Sequence, residues 1–196
     1  MNLEQGLTKQ TKSDGLGPLF HRSYSVNFES TMSEASKVME CLKADMNAFS
    51  PQLIAKFEKV KGDPQCLKPG DEFQVRIPGP WMAPVRVASV NENEIKLVTL
   101  HGHLEAGEVA FRLKEISENE IQFQIESEAR SKDAIVDFFY DKLGLAKLLQ
   151  SEMWRSFCKN FAERAASHAL TGQQKIDTVQ IVTERQDEDT KQWIQI

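Results

Sequence analysis

The chain has 196 residues, a hydrophobic share of 40%, a charged share of 27% and a formal net charge of −5. These values suit one globular domain with tails, and the negative balance argues against nucleic acid or an anionic membrane as main partner. No apolar run approaches the roughly 20 residues that cross a bilayer, and the N-terminus lacks a signal peptide's apolar core. The cytoplasm is therefore the expected compartment.

Residues 1–21 hold Gly15, Gly17 and Pro18 and show little periodicity. They read as an N-terminal arm without fixed structure, with Leu16, Leu19 and Phe20 free to dock on the domain. The domain itself is expected over 22–170. Tyr24, Val26 and Phe28 alternate as a first strand. Thr31 followed by Glu34 fits a capping box that opens a helix with Ala35, Val38, Met39, Leu42 and Met46 on one face. Ser50-Pro51 ends it or begins a short second turn, and Leu53, Ala55 and Phe57 alternate as a second strand.

Turn signals at Gly62-Asp63-Pro64 and Lys68-Pro69-Gly70-Asp71 lead into a third strand over Phe73, Val75 and Ile77. Pro78-Gly79-Pro80-Trp81 breaks it. Val85 to Val90 is a fourth strand, and Ile95, Leu97 and Thr99 a fifth that ends at His101-Gly102-His103. Val109, Phe111 and Leu113 mark a sixth. Ile121, Phe123 and Ile125 mark a seventh.

A long helix follows over Asp133–Ala169. Ile135, Val136, Phe139, Leu143, Ala146, Met153, Trp154, Phe157, Phe161 and Ala165 share one face at the helical step, and Asp137, Asp141, Glu152, Arg155, Lys159 and Glu163 the other. Leu145 and Leu148 interrupt the polar side, which suggests self-association there. Gly172 ends the helix. Residues 171–196, with Asp187-Glu188-Asp189, read as a disordered tail, although Val179 to Val182 could pair transiently with a sheet edge.

The order implies an α+β fold: a curved antiparallel sheet of six or seven strands wrapped around one long C-terminal helix. Where sheet and helix diverge, a gap suits a small apolar or amphipathic ligand. Cys41, Cys66 and Cys158 are odd in number and lack CxxC spacing, so they read as reduced thiols.

The same order resembles the START-like (SRPBCC, helix-grip) superfamily. Gly79-Pro80-Trp81, Pro84-Val85-Arg86-Val87, Gln150 to Trp154 and the run from Thr99 to Phe111 look like one branch of it. That branch is a domain-of-unknown-function family of bacteria and plants, typified by Thr-Leu-x-Gly-His-x-Glu-x-Gly. The resemblance runs from Tyr24 to Ala169. It implies a hydrophobic cavity, in a superfamily of lipid carriers, cyclases and ligand-sensing modules, and it carries no reaction over.

The segment His101 to Glu108 collects two histidines, two carboxylates and two glycines between strands. If His101 and His103 continue the strand they share a side, and with Glu105 they form a candidate acid–base group. The plainer reading, which is favoured, has the glycines set a turn while His and Glu satisfy its backbone. A metal would need His21, His168 or Glu105 to complete His-x-His, and no spacing demands it, so no metal and no cofactor is expected.

Trp81, Arg86, His101, His103, Phe111 and Trp154 are the candidate ligand-binding residues. Packing is the rival role for the two tryptophans. Ion pairing with glutamates on the sheet exterior is the rival role for Arg76 and Arg86, and it is the favoured one. No Gly-x-Ser-x-Gly elbow and no phosphate-cradling glycine loop occurs. The functions rank as non-catalytic binder, then cyclase- or isomerase-type enzyme using the His/Glu group, then interaction module.

Overall fold

The computed structural model describes residues 7–78, 82–131, 145–166 and 175–196. The elements are β1 (Leu16–Glu29), α1 (Met32–Ala44), β2 (Lys56–Lys61), β3 (Glu72–Arg76), β4 (Met82–Val90), β5 (Glu94–Thr99), β6 (Glu105–Ser117), β7 (Glu120–Ser131), α2 (Leu145–Ala166), β8 (Gln180–Gln186) and β9 (Trp193–Gln195). The strands form one antiparallel sheet in the order β2-β3-β4-β5-β6-β7-β1-β8-β9. The first strand crosses to pair with the seventh, from Phe20↔Ala129 to Glu29↔Glu120.

Period-two patterning sets which face is covered. Along β7 every second residue is buried, from Ile121 to Ser131, and β1 matches it with Tyr24, Val26 and Phe28. A strict alternation fixes register, because a one-residue slip would turn the whole apolar set outward. On α2, Met153, Trp154, Phe157, Cys158, Phe161, Ala162 and Ala165 are buried while Glu152, Arg155, Lys159 and Glu163 are exposed. The helix lies across β1 and β7 and touches α1.

The middle of this interface is aromatic. Phe123 and Phe161 stack with centroids 3.9 Å apart, Phe49 sits 5.7 Å from Phe161, and Phe111 sits 5.3 Å from Phe157. Each buried ring supplies roughly 1.5–3 kcal/mol, more than helix propensity gives, so the sheet holds α2 in place.

Thr31 opens α1 as expected, its hydroxyl accepting the Glu34 N–H at 3.3 Å. The second strand starts later than the sequence suggested. Ile54 and Ala55 both donate to the Pro51 carbonyl in a turn, and Leu53 is 97% exposed.

The sheet has nine strands instead of six or seven because the C-terminal segment, expected to be a disordered tail, supplies β8 and β9. Lys175 to Asp177 run back along β1, with the Glu29 N–H donating to the Lys175 carbonyl and the Asp177 N–H to the Asn27 carbonyl. β8 continues from Ser25↔Gln180 to Phe20↔Arg185. Ile176, Val179 and Ile181 pack against the core edge. Charged composition hid this, since an edge strand that leaves one side in water tolerates polar residues.

Residues 7–21 of the expected N-terminal arm are also placed. β1 begins at Leu16 rather than at Tyr24, and at the Thr99 end of β5 the Gln10 N–H donates to the Thr99 carbonyl while the Gln10 carbonyl accepts from Thr99 Oγ1. Gly15 lies so close to Arg130 and Ser131 that an added Cβ would meet both at 2.8 Å.

The long helix expected over Asp133–Ala169 is one helix through its described part. Residues 133–144 and 167–169, Gly172, and the side chains of Leu145 and Leu148 lie outside the described residues. Among the described residues no helix is long and apolar enough to cross a membrane.

Candidate functional site

The inner faces of β6, β7 and β1 change character row by row. Cross-strand partners give Leu113–Phe123–Val26, then Phe111–Ile125–Tyr24, then Val109–Ser127–Arg22. The first row is wholly apolar, the second carries one phenol, and the third carries a hydroxyl and a guanidinium. The helix follows the same gradient. Phe161 and Phe157 cover the first row, Trp154 stands edge-on to Phe111 at 5.7 Å, and Ser151 and Gln150 reach the polar rows.

The polar end is a closed network. Arg22 donates to Glu105 at 3.2 Å, and the two side chains are only 8% and 12% exposed. The other Glu105 oxygen accepts from Gln150 Nε2 at 3.0 Å. Arg22 also lies over the Phe20 ring, 4.8 Å from its centroid. A buried pair of this kind needs such extra bonds, because desolvating two charges otherwise outweighs their attraction.

Burial pushes the Tyr24 phenol above its ordinary pKa, against the pull of the Arg22 charge and a bond to Ser151. Burial likewise pushes the Cys158 thiol up to about 12, and its Sγ meets the Tyr24 carbonyl at 3.6 Å. That thiol packs and does no thiolate chemistry near neutral pH.

Among the described residues, the buried side-chain polar atoms left without a hydrogen-bond partner are Gln74 Nε2, Ser127 Oγ and Trp154 Nε1. Gln74 belongs to β3, on the side opposite Phe73 and Val75. Ser127 and Trp154 belong to the polar end under α2. A buried unsatisfied group costs about 1–3 kcal/mol, so a pair at one place asks for an explanation.

The run from Thr99 to Gly107 folds as a turn. Gly107 donates its N–H to Thr99 Oγ1 at 2.9 Å, and Leu100 is fully buried. Gly102 has φ +105, a conformation that suits glycine, and a Cβ on Gly107 would meet the Glu128 carbonyl oxygen at 2.1 Å. The condition that both histidines continue the strand is not met. His101 is exposed at the turn, while His103 is half-buried and accepts the Glu105 N–H on Nδ1 at 2.9 Å. Burial holds His103 below its ordinary pKa, with Glu105 pulling the other way. Glu105 is the member of this run whose carboxylate reaches the interior.

Phe111 and Trp154 lie where the sequence placed them, on the gripped interface. Arg86 does not. It faces the outer side, bonded to Glu72 at 2.8 Å and to the Leu7 carbonyl, and Arg76 pairs with Glu58 in the same way. Trp81 and His168 lie outside the described residues. Among the described residues no group of three or more His, Cys, Asp or Glu is set to hold a metal.

Arg22, Tyr24, Ser127, Gln150 and Ser151 were missed. The available signal was the inward parity of β1 and β7, which carries from Tyr24 to Arg22 and from Ile125 to Ser127. A cleft of about 190 Å³ lies at the other end of β1, lined in part by Asn27, Glu29, Asn119 and Lys175, but it is open and shallow.

The fold has solved relatives. Norcoclaurine synthase from Thalictrum flavum, in complex with dopamine and hydroxybenzaldehyde, is 13% identical with a TM-score of 0.51, covering 83% of this chain and 98% of that one. The ZhuI aromatase/cyclase from Streptomyces sp. R1128 is 9% identical with a TM-score of 0.53, covering 79% and 98%. The KanY protein is 7% identical with a TM-score of 0.54, covering 76% and 99%. At these identities the likeness shows the fold, the helix-grip arrangement of SRPBCC and Bet v1-like proteins. No curated protein sequence matches the chain. Residues 17–160 match the family described as domain of unknown function DUF1990, and that span takes in β1 through most of α2. The chain belongs to the DUF1990 family.

Proposed function

We propose that the protein binds a small hydrophobic or amphipathic molecule between the sheet and α2, at the polar end of the inner face. One observation carries this reading. Ser127 Oγ and Trp154 Nε1 are buried and unpartnered beside a network in which Arg22, Glu105 and Gln150 are all satisfied. A site with an apolar floor and a few placed polar groups is what small-molecule recognition uses. The aromatic rows around Phe123 and Phe161 are filled, so a ligand belongs at the other end. The neighbours' names agree in kind, since norcoclaurine synthase is seen with two small aromatic molecules.

Native mass spectrometry of gently purified protein tests the proposal, alongside titration with the uncharged probe N-phenyl-1-naphthylamine. A saturable one-to-one complex is the expected result. No co-purifying molecule together with no saturable probe binding would overturn it.

The cyclase or isomerase reading finds less support. It relied on His101 or His103 with Glu105, but His101 faces out, His103 Nδ1 is engaged by backbone, and Glu105 is held by Arg22 and Gln150.

A further inference from the structure

The polar end has a chemistry specific enough to sort ligands. Trp154 Nε1–H is a donor and nothing else, so only an acceptor satisfies it. Ser127 adds a hydroxyl that donates or accepts. Its strand position is one row beyond the Phe111–Ile125 pair, over which Trp154 stands. The charges nearby cancel. Arg22 is matched by Glu105, and Gln150 occupies the second carboxylate oxygen.

An anionic ligand would compete with Glu105 for Arg22 while sitting beside the Glu105 charge. A cationic one would face Arg22. Either would bury a charge without a counter-charge, which the interior penalises heavily. The floor is apolar: Phe111, Ile125, Val109 and the Tyr24 ring.

We infer that the ligand is an uncharged molecule with an apolar body and a hydrogen-bond-accepting oxygen of the carbonyl kind. Trp154 Nε1 is the donor that receives that oxygen, and Ser127 is the second polar contact. This rests on the binding reading above and adds the class of ligand.

Three probes of one shape separate the terms: 2-acetylnaphthalene, 2-ethylnaphthalene and 2-naphthoate, titrated calorimetrically into the full chain at pH 7.5. The ketone is expected to bind about tenfold tighter than the hydrocarbon, the ratio one net buried hydrogen bond gives. The carboxylate is expected to bind weakest.

Trp154→Phe keeps a ring and deletes the donor. It should bring the ketone down to the hydrocarbon's affinity, so that the ketone-to-hydrocarbon ratio falls to about one. Ser127→Ala should remove part of the ketone's advantage. Circular dichroism checks that each variant folds, and Trp154→Leu, which also lacks a donor, is the second variant should Trp154→Phe fail that check. Equal binding of ketone and hydrocarbon to the unaltered chain, or tightest binding of the carboxylate, overturns the inference alone. Absence of binding by all three overturns the binding reading with it.

Discussion

The two ends of the gripped interface are built from the same strands and the same helix, yet they solve different problems. At one end Phe123, Phe161, Phe49 and Phe157 fill the space ring against ring. At the other, Arg22, Tyr24, Ser127, Glu105 and Trp154 bring polar atoms into positions that the strand alternation reserves for apolar ones. Packing explains the first end completely. The second spends stability on groups that packing alone does not require, and natural sequences make that exchange mainly where something is bound. The lesson is that a single helix-grip interface divides into a part that holds the fold and a part that is free to recognise.

Breaking the aromatic end should have the largest effect. Phe161→Ala removes a fully buried ring that touches Phe28, Phe49 and Phe123. It should lower unfolding free energy by about 3–5 kcal/mol. Urea denaturation followed by circular dichroism measures this. A loss below about 1 kcal/mol would mean that the interior is not packed as described.

The polar end should respond differently to one change and to two. Glu105→Leu leaves the Arg22 guanidinium buried and uncompensated, for a loss of about 3 kcal/mol. Arg22→Met combined with Glu105→Leu removes both charges and should recover most of it. A double variant as unstable as the single one would show that the pair is not the unit of stability here. Trp154→Phe should change stability by less than about 1 kcal/mol net, because relief of the unpartnered donor offsets the packing lost with the smaller ring. A large loss on that substitution would show that the indole N–H is satisfied after all, and the contrast between the two ends would collapse.

Much of the first end was legible because its evidence is local. The 3.6-residue step places Met153, Trp154, Phe157, Phe161 and Ala165 on one helical face, and the two-residue step places Ile121, Phe123 and Ile125 on one strand face. Neither needs knowledge of a partner. The second end depends on residues that meet across long separations, such as Arg22 with Glu105, 83 positions apart. A charged residue at the end of an apolar alternation reads as the end of the strand, so β1 seemed to start at Tyr24. The turn between β5 and β6 was half legible. Gly102 announced it, but the direction of the Glu105 carboxylate follows from the closure of the turn and not from spacing. β8 was legible only as a transient edge pairing of Val179 to Val182, because its pairing with β1 is non-local, and β9, which pairs with β8, leaves its side chains in water.

The smallest effect concerns His21, the chain neighbour of Arg22, which faces the opposite side of the sheet. Its Nε2 meets Glu126 at 2.9 Å and its Nδ1 meets Glu184 at 2.8 Å, with the Trp193 ring 5.6 Å away. Arg112 bonds the other Glu126 oxygen and also pairs with Glu94. Glu128 stands opposite His21 and is paired with Lys12. The charges form a ladder over five adjacent strands, Glu94, Arg112, Glu126, His21, Glu184.

Burial opposes the charged imidazole, but the bonds from Glu184 and Glu126 outweigh it and raise the His21 pKa above the ordinary 6.5. Burial also opposes the Glu126 charge, and His21 and Arg112 outweigh it, so that pKa falls below 4.5. A raised histidine pKa contributes stability that is complete below 6.5 and is lost as pH rises through the folded value. A lowered carboxylate pKa contributes above 4.5 and is lost as pH falls through the folded value. The attachment of β8 to β1, and with it β9, should therefore weaken as pH rises above 6.5 through the raised His21 value. Hydrogen exchange of peptides from 180–195, corrected for the intrinsic rate, should show protection falling over about that range, with peptides from α2 unchanged. His21→Asn should flatten the dependence. An equal slope in the variant would assign it to another group and leave the outer ladder without a role in holding the edge.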